Sequence, residues 1–508
     1  MILWDDCSKG INADAMPSEL EDGVWSDGRN VRFRGGFAER VKGITQVFSS
    51  TSVVPYALFP YQTQSTRFLV HLGLTAAYVD DGTTRTDITG TAPTATADNR
   101  WTGGTIGGVF VCNSQADVPM YWGGNTANNL ASLTGWTSNH RCKSIRPFGN
   151  QLIALNITKN TTEYPSLVKW SHVADPGAIP TSWDETDATK DAGEQDLAET
   201  SDKLVDGLQL NSSFIAYKEQ SMYEITRTFD ARIFAFRRLP GDVGLISQNC
   251  VIDTPVGHVL LTSDRDIVVH QGQGTRSIID GKLKKWLQRT IDSTYYARSF
   301  VTTNPKYSEV WVCFPEQGQS TCTLAIIWNW REDKLSIRTL PNLTHGAVAL
   351  VNTSTTETWD ADSGAWDDDV TTWDEVEYGL GEQRLFVCKD SKIGIVDSGG
   401  QDFGTNIEAY LERTGIHLGA PERLKLMRAV YPRFSASAGV SLTVQVGSAM
   451  TADTAPNYQT DVTFTAGTSQ KVDSFSNGRF LAFRLESSGS QPWRLRGLGF
   501  DAKPGGLF

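Results

Sequence analysis

The sequence predicts an all-β protein: a β-propeller body with an N-terminal arm and a C-terminal β-sandwich-like region. Three observations carry this. Gly is abundant, at 46 of 508 residues, Thr and Ser are plentiful, and helix formers rarely cluster. Short apolar runs return in pairs about every 40 to 50 residues, the period of propeller blades. The last stretch of chain changes to longer strands of alternating polarity.

Residues 1–50 form the arm. Its segment 24–43, VWSDGRNVRFRGGFAERVKG, reads as a short β run around Val31 and Phe33, a turn at Gly35-Gly36, and a second run. These strands find no evident partner in the repeat that follows, so they are expected to clasp another element or a neighbouring subunit.

The body spans 51–405, and seven strand pairs can be read along it. They are 67–72 with 76–81, 108–113 with 119–124, 151–156 with 166–171, and 213–218 with 221–226. Then come 258–263 with 266–271, 309–314 with 324–329, and 384–389 with 393–398. Each is an apolar strand, a polar turn and a second strand. Two stacked sandwiches are the competing arrangement. Residues 282–298, KLKKWLQRTIDSTYYAR, are the best helix candidate. Residues 406–508 hold the alternating strands 441–449, 461–467 and 480–488, and a final stretch in which Leu495, Leu498 and Phe500 alternate with Arg and Gly. They predict a separate β-sandwich.

Charge and cysteine usage exclude several classes. The chain has 58 acids against 46 bases, net −12, which argues against general affinity for nucleic acid. Seven scattered Cys without a CxxC pair argue against a disulfide framework and for a reducing compartment. No zinc spacing is present, and no metal or cofactor is expected. The opening MILWDDCSKG lacks the apolar run of a signal peptide, and no stretch is long and apolar enough for a membrane span.

The acidity is concentrated. Residues 357–377, ETWDADSGAWDDDVTTWDEVE, carry nine acids and no base. Removing those nine leaves 49 acids against 46 bases, net −3. Trp359-Asp360, Trp366-Asp367 and Trp373-Asp374 recur at a spacing of seven, with Asp362, Asp368, Asp369 and Glu375 among the other acids. Nine unpaired carboxylates cannot be buried, so the strip is expected to be a mobile insert at a lumen or a subunit contact. A coiled coil is excluded because Asp, Gly, Ser and Thr fill the positions between the Trp residues. An EF-hand started at Asp360 places Gly364 one position early and Thr371 where a bidentate Glu belongs. An Asp box started at Asp362 has its Trp one residue early. The plainer alternative is an exposed, solvated loop.

No catalytic residues are expected. The His residues are dispersed, and neither GxSxG nor HExxH occurs. Asp80-Asp81, and Asp264 and Asp266 around Arg265, lie at turns, where Asp is common for backbone reasons. The Gly-rich pieces 103–108 and 270–274 lack the Lys and following helix of a phosphate loop and read as turns.

Several phrases fall in a telling order: SDGRNVRFRGGFAERVKGI (26–44), VKWSHVADPGAIPTSWDE (168–185), SFIAYKEQSMYEIT (213–226), RRLPGDVGLISQNCVI (237–252), VGHVLLTSDRDIVVHQG (256–272), and then the Trp-Asp strip. Together they resemble the nozzle proteins of short-tailed bacteriophages, also called tail hub, tail tubular or packaged-DNA stabilisation proteins. The likeness covers most of residues 20–400. It implies a non-enzymatic virion protein in the tail, assembled in the host bacterial cytoplasm. It implies a homo-oligomeric ring, expected to be a hexamer, beneath the portal and the tail adaptor (the head-to-tail connector), with tail fibre or needle proteins as further partners. Phage DNA would pass through the lumen without specific binding during genome retention and ejection. The alternative is a glycan-cleaving or receptor-binding phage tail protein built on a propeller. The receptor-binding form needs exposed aromatics on the sandwich, for which Trp493 is the candidate.

Overall fold

The computed structural model describes residues 2–64, 66–228, 232–272, 274–351 and 383–507. Six four-stranded antiparallel sheets follow one another along the chain, starting at Ala57, Thr102, His140, Leu204, Val251 and Phe300. Four strands of a six-stranded sheet make a seventh: His345–Ala349, Arg384–Lys389, Lys392–Val396 and Ile44–Gln46. The first strand of each sheet lies beside the first strand of the next, and His345–Ala349 lies beside Ala57–Gln62. The seven sheets are therefore the blades of a closed propeller, with their first strands innermost.

Each predicted strand pair falls on the second and third strands of one blade. The pair read at 151–156 and 166–171, for example, lies within Gln151–Lys159 paired with Thr162–Trp170. Val109–Asn113, Ser213–Lys218 and Glu309–Phe314 are buried at every position. A middle strand packs against neighbouring blades on both faces, so it is apolar throughout instead of alternating. The ring is closed by a strand from far upstream, with Ile44 opposite Val396 and Gln46 opposite Gly394.

The C-terminal region is a sandwich of two six-stranded sheets. One runs Val31–Arg34, Phe37–Arg40, Trp493–Leu507, Arg423–Ala436, Val472–Gly478, with Ile2–Trp4 also paired to Trp493–Leu507. The other runs Asp27–Arg29, Ala409–Ile416, Phe480–Ser487, Ser441–Ala449, with Asn457–Tyr458 and Val462–Thr465 on the last of these. Leu495 and Leu498 are both fully buried although three residues apart, a spacing that points to opposite faces of a regular strand. A bulge resolves this: Arg433 pairs with Gly497 and Phe434 with Leu495, leaving Arg496 as the extra residue. Gly497 is required there, because a Cβ would collide with the Trp4 carbonyl.

Two expectations are corrected and one is decided. Of the two alternatives for the arm, the structure gives the first, other elements of the same chain: Ile2–Trp4 and Phe37–Arg40 pair with Trp493–Leu507, Asp27–Arg29 with Ala409–Ile416, and Ile44–Gln46 with blade seven. The sequence repeat hid these pairings because the partners lie hundreds of residues away. The helix candidate 282–298 is helical only over Lys284–Thr290, with a 3-10 turn at Tyr296–Arg298. Ile291 leaves the helix to bridge Glu316, and the Asp292 carboxylate takes the N–H groups of Thr294 and Tyr295. Of the Gly-rich piece 103–108, Gly103 and Gly104 belong to the innermost strand Thr102–Ile106, and only Gly107-Gly108 make the turn.

Candidate functional site

The predicted strip, Trp359, Asp360, Asp362, Trp366, Asp367, Asp368, Asp369, Trp373, Asp374 and Glu375, lies outside the described residues. The described chain shows where it is inserted. It belongs to the connection between His345–Ala349, the innermost strand of blade seven, and Arg384–Lys389, the second strand.

The turn aspartates have structural partners. The buried Asp80 carboxylate faces His71 Nδ1 at 3.0 Å and Arg85 Nε at 3.1 Å. Asp81 accepts the N–H groups of Thr83 and Thr84. Asp266 accepts from Ile267 N–H, the Ser277 hydroxyl and Lys284 Nζ, the last at 2.6 Å. Trp493 is also enclosed, at 3% exposure, its Nε1–H donating to the Ser487 hydroxyl. It offers no exposed surface to a receptor; among the described residues, Phe475 is an exposed aromatic of the sandwich, at 75%.

Two polar assemblies that sequence reasoning missed organise the molecule. The first fills the propeller axis. Arg146 of blade three donates to Asp206 of blade four at 2.9 and 2.6 Å, to Asn249 Oδ1 before blade five at 2.8 Å, and to the Gly103 carbonyl of blade two at 3.2 Å. One side chain reaches three other blades only from near the axis. Burial opposes the charge on Asp206, but Arg146, Ser144 and the Asn249 N–H outweigh it and hold the carboxyl below its usual range. His345, in blade seven, is kept neutral: burial, then Arg100 and Arg146, push its pKa down to about 3, and its Nδ1 accepts the Leu58 N–H of blade one at 3.2 Å.

The second assembly joins propeller to sandwich. On Val31–Arg34 the period of two sends Val31 and Phe33 into the core and Arg32 and Arg34 to the other face. Both guanidiniums stack on the Tyr307 ring, with Cζ 3.9 and 4.5 Å from its centroid. Arg32 also bonds Glu309 of blade six and Asp397 after blade seven, the latter at 2.9 Å. Burial disfavours a charged Arg32, yet these carboxylates carry its pKa well above the ordinary value. Glu39 sits between two further guanidiniums, its oxygens accepting from Arg34 Nε at 2.7 Å and Arg494 Nε at 3.1 Å.

Above this junction opens a cleft of about 920 Å³ between the arm, blade seven's outer edge and the sandwich. Arg32, Arg34, Arg40, Lys42 and Arg494 line it, against the single carboxylate of Glu39. The signal was present in the sequence: segment 29–42 holds five bases and one acid in an otherwise acidic chain. The seven thiols are all buried, and burial pushes those of Cys7, Cys250 and Cys322 up to about 12, which leaves them protonated at neutral pH.

The fold and these sites define a class: an all-β protein in which a seven-bladed propeller is locked to a sandwich that its own N-terminal strands complete. No protein-family model and no curated protein matches the chain. Among solved structures it is similar to the WD40 β-propeller domain of Doa1, with a TM-score of 0.37 and 8% identity, covering 70% of this chain and 97% of that one. It is similar at the same TM-score and identity to the WD40 domain of coronin from Toxoplasma gondii, covering 73% of this chain and 88% of that one.

Proposed function

We propose that the protein is a structural, non-catalytic subunit of a short-tailed phage tail, a nozzle or hub. Copies of it, six in the expected arrangement, form a ring beneath the portal and adaptor around the passing genome. The observation that carries this reading is the ordered set of nozzle-like phrases ending in the acidic Trp-Asp strip. The filled propeller axis supports it in one respect. Arg146, Asp206 and Asn249 are at most 9% exposed, which fits a conduit between copies better than one along the axis of a single copy. A lumen bordered by strips of nine carboxylates would repel phosphates, letting DNA slide without sticking.

Negative-stain images of the purified protein mixed with tail complexes test the ring. Rings with an open centre are expected, and particles that remain single copies at every concentration, and never join tails, would refute it. Replacing Asp367, Asp368 and Asp369 together by Asn tests the strip. Melting temperature should stay nearly unchanged, since exposed charges contribute little locally, while genome retention or release shifts. Unaltered retention and ejection would reduce the strip to a solvated loop.

A further inference from the structure

We infer that the cleft at the propeller–sandwich seam is a binding site for a phosphate ester. Three features on the cleft wall carry this, independently of the nozzle reading. The first is charge. Four guanidiniums, of Arg32, Arg34, Arg40 and Arg494, line the cleft against Glu39; behind them Arg338 adds one cation, and Glu309, Asp397 and Asp402 add three carboxylates. Arg32 is matched by Glu309 and Asp397, and Arg338 by Asp402, which leaves Arg34, Arg40 and Arg494 on the wall against the one carboxylate of Glu39, a local excess that suits the dianion of a phosphate monoester.

The second feature is geometry. Glu39 engages only the Nε groups of Arg34 and Arg494. Among the described residues their Nη groups make no hydrogen bond. Two guanidiniums are thus aligned by one carboxylate, with their forked donors left for an oxyanion. Both side chains are solvent-accessible, at 33% and 48%, while Glu39 beneath them is at 10%. Arg40, 5% exposed on the same wall, spends its Nη groups on the Val41, Ser490, Gly400 and Ile407 carbonyls, and its Nε finds no partner among the described residues.

The third feature is size. About 920 Å³ is the volume of a site for a drug-sized ligand, far more than a bare phosphate fills. Tyr307 and Phe403 supply apolar wall beside the cations. The anion is therefore one end of a larger molecule.

Isothermal titration at low ionic strength, with glucose 1-phosphate, inorganic phosphate and glucose as probes, tests this. We expect saturable binding of the ester, weaker binding of inorganic phosphate and none of glucose. The double variant Arg34→Gln, Arg494→Gln should lose at least about tenfold in ester affinity, as expected for charge-assisted bonds, while Arg276→Gln, on the exposed edge of blade five, should bind as the parent does. Arg494→Lys keeps the charge, and with it the Glu39 ion pair, but not the fork. It should still lose several-fold, so a folding failure of the double variant leaves the proposal testable. Ester affinity should also fall below about pH 6, where the phosphate takes up its second proton. Absence of saturable anion binding, full affinity in the Arg variants, or equal affinity for ester and free phosphate would each overturn the assignment.

Discussion

At the scale of single residues, the molecule places charges where only complete partner sets allow them. Arg146 with Asp206, and Arg32 with Glu309 and Asp397, are ion clusters in low dielectric whose removal in part leaves an uncompensated charge. Arg32→Ala is expected to cost on the order of 3–5 kcal/mol in chemical denaturation, as for other broken buried pairs. A loss below 1 kcal/mol would mean that solvent reaches the seam. His345 gives a pH dependence of definite sign. Its folded pKa is lowered to about 3, while an unfolded His titrates near 6.5. The unfolded chain therefore binds the proton first. The stability that neutral His345 contributes is present above about pH 6.5 and is lost as pH falls towards 3. Between pH 6.5, where the unfolded His is half protonated, and pH 5 the loss is about 1.6 kcal/mol, approaching 1.36 kcal/mol per unit at the lower end. His345→Asn, whose Oδ1 can still accept the Leu58 N–H, should flatten that part of the stability–pH curve, and an unchanged slope would show that other groups govern it.

At the scale of elements, the N-terminal segment is structural mortar in its own chain. Trp4 is 2% exposed and packs against Phe483 and Phe500, with ring centroids 5.5 and 4.9 Å away. Trp4→Ala should cost about 3–5 kcal/mol. Removing residues 1–22 should open the sandwich to proteolysis, where the unpartnered-arm expectation required a folded truncation. A protease-resistant truncation with the parent's melting temperature would restore that expectation. The α-helix Lys284–Thr290 is also set from far away. Its own N-cap, Leu283, makes no side-chain bond, and the Asp14 carboxylate instead accepts from the Lys285 and Trp286 N–H groups at 2.7 and 2.8 Å. Asp14→Ala is expected to cost about 1 kcal/mol, the worth of a lost cap, read from the denaturation midpoint.

At the scale of the whole molecule, propeller and sandwich share structure. One hydrophobic cluster runs from Leu260, Val310 and Ile337 of the blades to Trp25, Leu411 and Phe483 of the sandwich. The strand that closes the ring follows directly on the strands that complete the sandwich. The two bodies should therefore unfold together. Calorimetry is expected to show one cooperative transition, and two resolved peaks would show that the shared cluster and the Arg32 junction contribute little coupling.

Parts of the fold whose partners are near in the chain could be read from local pattern alone. The second and third strands of all seven blades were legible because each pair is a hairpin, and second strands such as Ser213–Lys218 and Glu309–Phe314, buried at every position, read as largely apolar runs. The outer strands were not, because Arg85–Asp87, Ala131–Ser132 and Thr275–Ser277 are short, polar and largely exposed. Long-range packing set the remainder. It sent Ile44–Gln46 to Lys392–Val396, wove residues 2–40 into the sandwich, and turned Leu495 and Leu498 to one face with a bulge. It also gathered Arg34, Glu39 and Arg494 at one cleft from opposite ends of the chain. Strand pairing across such separations leaves no periodic mark on either segment. Register and charge partners are set by burial and hydrogen-bond satisfaction summed over the whole fold, not by local pattern.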